Sequence, residues 1–388
     1  MGQPATNTFY LFLYLSRMTS PAMTIDTNEK DTKETLDILH NRRTKRLKSY
    51  WEPIYDPSFK GTTSVFQWDT RKTTGVKAAL CESETLKKLL STLGARGWTI
   101  KSYSFKDCDF AGHFSTALAF NNCKFENCDL GSTIWKGTKF TNCKFTKCSF
   151  TLATFEQCQF NNCVWKISGI SGTETKFFDT VVGNPESLIN SGYTNTDADI
   201  LSQNGSTTPA YQLMRLEETK MKLARTILSN NERNAEDAVY YESVKVYLLQ
   251  ALKAKKQQLR HQLSKKQNRL QNIGSLLLCS LEEFVIGISG MLNGWGGNLA
   301  RATFIGIILV ALFAAAYFLL GRPEATPITW KLALIQSFDI TLLVGYTKHA
   351  TAALGWKTQA LYGANALLGL WWYAIFVPTV INRICRVR

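Results

Sequence analysis

The stretch "FENCDLGSTIWKGTKFTNCKFTKCSF", residues 125–150, sets a large apolar residue at every fifth position: Phe125, Leu130, Trp135, Phe140, Phe145 and Phe150. Two residues ahead of most of these stands a small side chain, as at Cys123, Cys128, Cys143 and Cys148. A period of five is neither that of a helix nor that of a flat strand. The chain must therefore turn repeatedly and bring both series into one interior. Followed outward, the large series runs from Phe105 and Phe110 through Phe120 to Phe155, Phe160, Trp165 and Ile170, interrupted only by Ser115. The small series extends to Cys108, Ala153, Cys158, Cys163 and Ser168.

Units such as "FENCD", "FTNCK" and "FTKCS" resemble those of pentapeptide-repeat proteins. The resemblance implies a right-handed quadrilateral β-helix over residues 101–182, with four pentapeptides per coil, so that residues twenty apart stack. Cys108, Cys128 and Cys148 would then form one column, and Cys123, Cys143 and Cys163 another. Small apolar thiols bury well, and none of these spacings is a zinc-binding pair. They are read as reduced and structural, with no metal and no cofactor. Between residues 101 and 180 nine lysines face seven acids, so this rod is no acidic mimic of DNA. A docking platform for a protein partner is expected instead.

The flanks fall into several segments. Residues 1–33 form an unassigned tail. Residues 34–100, with "NRRTKRLKSYWEP" and "SETLKKLLSTLGARGW", are expected to cap the open end of the β-helix. A polar linker, 183–210, precedes a helical hairpin over 211–272 that breaks near "SNNERN". Leu213, Leu216, Met221, Leu223 and Ile227 are expected to line one face of it, and Ala238, Tyr241, Val244, Tyr247 and Leu248 another. No acid occurs between Ser243 and Ser280, whereas Lys253, Lys255, Lys256, Arg260, Lys265, Lys266 and Arg269 do, within a chain of net charge +15.

The last quarter is apolar. "ATFIGIILVALFAAAYFLLG", residues 302–321, carries no charge and is long enough to span a bilayer, as is 358–382. Residues 273–301 are expected to be interfacial. The basic clusters before and after the spans place both termini in the cytoplasm by the positive-inside rule.

Between the spans lies "TPITWKLALIQSFDITLLVGYTKH", too short to cross twice and suited to a re-entrant helix and loop, 328–347. Two spans enclosing a short helix and V-G-Y resemble the two-transmembrane pore module of potassium-type channels. The whole order resembles bacterial pentapeptide-repeat proteins fused to such a module. The resemblance implies a multi-pass protein of the inner cell membrane, forming a homotetramer within the lipid bilayer over 302–388. Val344, Gly345 and Tyr346 match the middle of the family filter T-V-G-Y-G-D, whose carbonyls replace the hydration shell of the ion. Leu343 stands in place of the threonine, Thr347 in place of the second glycine and Lys348 in place of the acid at the mouth. Asp339 occupies the position of a pore-helix acid; it either pairs with Lys348 or faces water while Lys348 snorkels. The expected function is an ion channel of altered potassium selectivity with a cytoplasmic repeat domain; the alternative is a nonconducting membrane-anchored scaffold. An enzyme is not expected: His40, His113, His261 and His349 are scattered, and no catalytic motif or phosphate-binding loop appears. Nucleic acid is not an expected partner.

Overall fold

Every fifth residue from Ser102 to Ile167 adopts the left-handed backbone conformation, with φ between 50° and 72°. Each such residue turns the chain onto a new face. Asp107, Asn122, Asn127, Asn142 and Asn162 are types that tolerate this conformation; Lys147, Leu152 and Ile167 are held in it by the surrounding ladders. The structure, a computed structural model, describes residue 41 and residues 52–54, 99–170, 174–194, 209–265, 269–320, 329–342 and 355–385. The chain divides into two compact units, residues 1–45 and 46–388, and every strand and helix from Thr99 onward belongs to the second.

The turns wind residues 99–182 into a β-solenoid of about four coils. Three parallel sheets form its sides. One contains β1 (Thr99–Lys101), β4 (Ala119–Asn121), β7 (Lys139–Thr141), β10 (Gln159–Asn161) and β13 (Val181–Val182). The second contains β2 (Ser104–Lys106), β5 (Lys124–Glu126), β8 (Lys144–Ser149) and β11 (Val164–Gly169). The third contains β3 (Phe114–Thr116), β6 (Ile134–Lys136), β9 (Thr154–Glu156) and β12 (Lys176–Phe178). The fourth side is bridged at Asp109, Asp129 and Ser149. A segment from upstream lies on that side. There the buried Glu52 accepts hydrogen bonds from Ser149 Oγ at 2.8 Å and Thr151 Oγ1 at 2.5 Å.

The register places Phe105, Phe125, Phe145 and Trp165 in one column and Phe120, Phe140 and Phe160 in another. Rings of Phe105, Phe125 and Phe145 stack 4.8 Å apart, which is the strand spacing itself. The cysteine columns fall where the twenty-residue repeat puts them, and all seven solenoid thiols are buried and free. Each carbonyl below supplies an acceptor: Cys128 Sγ reaches Phe105 O at 3.3 Å and Cys163 Sγ reaches Phe140 O at 3.4 Å.

Two details differ from the sequence pattern. Ser115 does not interrupt the core; it is buried in register with Trp135, beneath whose bulk a second large side chain has no room. The His113 ring fills the adjoining space, 4.7 Å from the Trp135 ring. The ladder also continues past Ile170. β12 pairs with β9, and β13 with β10, at an offset of 22 rather than 20, so that Phe177 stacks on Phe155 and Val182 on Phe160. Two extra residues between β11 and β12 hide this last coil from a strict count of five. Thr180 there takes the cysteine's part, donating from Oγ1 to Phe155 O at 3.0 Å.

A helix, α1 (Pro185–Ser191), begins inside the stretch read as linker, N-capped by Asn184. It seats Ser187 Oγ against the backbone N–H of Trp165 at 2.9 Å. The hairpin follows as α2 (Pro209–Asn234) and α3 (Asp237–Ser264), and the break between them falls at residues 235–236, directly after "SNNERN", where the sequence pattern puts it. Asn231, in the last turn of α2, joins the hairpin to the solenoid. Fully buried, its side chain accepts from Val182 N at 3.0 Å, donates to Val182 O at 2.9 Å and donates to Ser243 Oγ at 2.8 Å. One amide thus stands where the next strand of the solenoid would pair. Leu223, Ala224 and Ile227 of α2 and Val246 of α3 join the solenoid core directly. Leu213, expected on the inner face, is exposed.

Three later helices are long and apolar enough to cross a membrane: α4 (Arg269–Asn293, with its bend to Gly296), α5 (Leu299–Leu320) and α7 (Trp356–Cys385). The sequence pattern predicts two. The third, α4, covers most of the segment expected to be interfacial. Between α5 and α7 lies the short α6 (Trp330–Thr341).

Candidate functional site

The twelve residues of α6 span about 18 Å as helix, well short of the apolar thickness of a bilayer. Its start is set by Thr329, whose hydroxyl accepts from Leu332 N at 3.4 Å. Ala333, Ser337, Ile340 and Thr341 form its buried row, packed on α5 and α7. Tyr317, Tyr362, Ala333 and Ile340 make a small apolar cluster there.

Inside that packing is a chain of polar groups. Asn365 of α7, fully buried, accepts from Thr341 Oγ1 at 2.9 Å and donates to Tyr317 Oη at 2.8 Å. Ser337 Oγ donates to Val310 O at 2.7 Å. These bonds tie the short helix to both long ones in a buried position where water offers no alternative partner, which makes the arrangement costly to leave half-made. Gly369 allows the closest approach: a Cβ there would collide with the backbone of Thr341. Gly306 is likewise covered by the Trp372 ring, whose Nε1 donates to Ala302 O at 2.8 Å.

Asp339 lies on the opposite side of α6 from the buried row and is half-buried. The filter-like residues Leu343, Val344, Gly345, Tyr346, Thr347 and Lys348, and with them the pairing of Lys348 and Asp339, lie outside the described residues. Sequence reasoning does not single out Asn365, Tyr317, Ser337 or Thr341. A signal is present for one of them: Asn365 is an amide in the middle of a long uncharged run, and a polar residue buried among apolar ones needs a hydrogen-bond partner.

At the other end of α7 the apolar helices meet the hairpin. The bend Gly294–Gly296 contains Trp295 at φ 62°. Next to it, Gly297 lies flat on the Tyr241 ring, so closely that a Cβ would sit 2.6 Å from that ring. Asn293 Nδ2 donates to Thr379 Oγ1 at 3.2 Å, and Arg383 near the end of α7 pairs with Asp237 at the start of α3 at 3.4 Å. Among the described residues no cluster of His, Cys, Asp or Glu is suited to hold a metal.

Residues 120–164 match the family model for pentapeptide repeats, nine copies of the unit, and the chain therefore contains a pentapeptide-repeat domain followed by helices of membrane-spanning length. No curated protein matches the sequence. Among solved structures, a trypsin-treated variant of QnrB1, a plasmid-mediated fluoroquinolone resistance protein, is similar at 12% identity over 22% of this chain and 75% of that one, with a TM-score of 0.08.

Proposed function

We propose that this protein is a membrane-embedded, channel-like assembly in which several copies, most simply four, bring the α6 segments and the V-G-Y loops that follow them around a common ion pathway. The observation that carries the reading is the short helix α6, too short to span, hydrogen-bonded to the helices on either side and ending at Thr341, two residues short of Val344-Gly345-Tyr346. A helix that enters a bilayer and does not cross must have its ends buried in protein or facing water. The outward side of α6 favours neighbours, since Leu334, Ile335 and Phe338 are exposed on a single copy. With Leu343, Thr347 and Lys348 in place of the usual filter residues, selectivity for potassium would be weak.

The solenoid would act from the cytoplasmic side. A continuous run of contacts supports this: Val182 to Asn231, Asn231 to Ser243 on α3, Tyr241 on the same helix to Gly297, and Asp237 to Arg383 of α7. A partner bound to the repeat faces would thereby load the end of α7. Planar-bilayer recording from purified, reconstituted protein tests the reading. Single-channel steps that carry potassium and sodium with similar ease are expected. Silence from membranes containing confirmed oligomers would leave the nonconducting scaffold.

A further inference from the structure

The pair α3–α4 carries two surfaces of opposite character. One side of α4 exposes Leu270, Leu277, Leu281, Phe284, Val285 and Met291, which recur at helical spacing along its whole length. The other side packs on α3. There Glu282 pairs with Lys255 at 2.9 Å, Glu283 pairs with Lys256, and Cys279 Sγ contacts Leu252 O at 3.9 Å.

Length and apolarity alone qualify α4 as a span. Its partner disqualifies it. The ion pairs sit in the middle of α4, and α3 runs beside them carrying Lys253, Lys255, Lys256 and Arg260. Threading α4 through the bilayer would draw this basic helix into hydrocarbon with it. Lys253, Arg260, Lys265 and Arg269 are exposed, and among the described residues none has a carboxylate partner.

We infer that α4 lies along the membrane surface with its apolar stripe among the upper acyl chains, and that Lys253, Arg260, Lys265 and Arg269 form a contact for anionic phospholipid headgroups. Two observations fix the occupant as lipid. The stripe is continuous, through the three-residue bend Gly294–Gly296, with α5, itself long and apolar enough to enter the bilayer. With Glu282 and Glu283 paired to Lys255 and Lys256, the charge left beside the stripe is positive, which suits an anionic leaflet. The inference rests on the membrane reading of α5 and α7 and not on conduction.

The test uses the full chain with Cys81→Ser and Cys385→Ser, carrying in turn Leu270→Cys, Leu281→Cys or Met291→Cys labelled with a small fluorophore. Each is reconstituted into phosphatidylcholine vesicles with or without phosphatidylglycerol, one lipid at a time being brominated either near the headgroup or near the chain end. All three labels should be quenched most by the shallow bromine. Brominated phosphatidylglycerol should quench more than brominated phosphatidylcholine, with roughly fivefold enrichment for each basic residue at the surface. Lys253→Glu, Arg260→Glu and Lys265→Glu together should abolish that preference and leave the depth unchanged. Deep quenching at position 281 would make α4 a span, absence of quenching would place protein over the stripe, and equal quenching by the two lipids in the wild type would remove the headgroup site; each result overturns the inference. No arm reads current, so a silent pore does not affect the outcome.

Discussion

Ile167 holds φ at 52°, a conformation that a β-branched side chain avoids, and it does so at an exposed corner of the solenoid where the side chain is half in water. Ile167→Asn should therefore raise stability by about 1 kcal/mol, read as an increase in Tm, because asparagine tolerates this conformation. The neighbouring corner residue Lys147 points outward as well, and Lys147→Glu should be near neutral. Phe145→Asp, by contrast, would bury an unpaired charge within the ring stack and should cost several kcal/mol, on the order of the whole margin of a small domain. The thiols make a pH prediction. Burial pushes Cys158 up to about 11. For Cys143 the hydrogen bond from Cys123 lowers the value, but the one involving Cys163, together with burial, raises it to about 12. These groups stay protonated in the folded state while an unfolded thiol ionises near its ordinary value of 9.0. Their contribution is present below that value and is lost as pH climbs through the folded one. Alkylation of the native solenoid should thus remain slow at pH 9, and the unfolding midpoint should fall between about pH 9 and 11. Fast native alkylation at neutral pH would refute the buried columns.

Among the elements, the last turn of α2 is fixed to the solenoid by Asn231. Asn231→Ala would orphan both backbone groups of Val182 and should cost about 2–4 kcal/mol in chemical denaturation, whereas the neighbouring exposed Asn234→Ala should change little. Among the apolar helices Gly369→Ala should push α6 away from α7 and, in the assembly proposed, lower oligomer recovery in mild detergent. Gly363→Ala, with open space around it, serves as the control and should leave recovery unchanged. These elements also mark how far the sequence is legible. The solenoid can be read because every residue at the fifth position has one task, filling a column, and period carries that information without tertiary context. Ser115 and the final coil escape such a reading for the converse reason. Ser115 is explained by Trp135 twenty residues away, and the last coil by two inserted residues that break the count without breaking the ladder. The end of α2 is legible in the polar run "SNNERN", whereas the buried bonds of Asn231 to a strand end are not, since they leave no local pattern. The length of α4 is concealed by its glycines and by its pair of glutamates, which α3 neutralises. At the candidate pore, the order of spans and short helix is legible from apolar run lengths, while the Asn365 network is not, since hydrogen bonds between helices leave no period.

For the whole molecule, the consequential charge is Lys348, which a fourfold assembly would repeat around one mouth. Lys348→Asp should raise cation conductance, and most at low ionic strength, because such a ring acts over roughly 10 Å at 0.1 M salt. Restoring Leu343→Thr and Thr347→Gly as well should increase the preference for potassium over sodium, measured as a shift in reversal potential. The combination Lys348→Asp with Asp339→Lys preserves any pairing between the two positions while inverting the mouth. Silence in all of these, from verified membrane oligomers, would dismiss the conducting reading. The four-sided coil has a further property, that of an indexing gear. Because one coil takes twenty residues, an engineered insertion of twenty would move everything beyond it by about 4.8 Å along the rod axis and return it to the same bearing. An insertion of five would advance it by only about a quarter of that rise, yet swing the helices that follow onto the adjacent side. Any partner that must touch the rod and the membrane together would forgive the first change and lose its footing with the second.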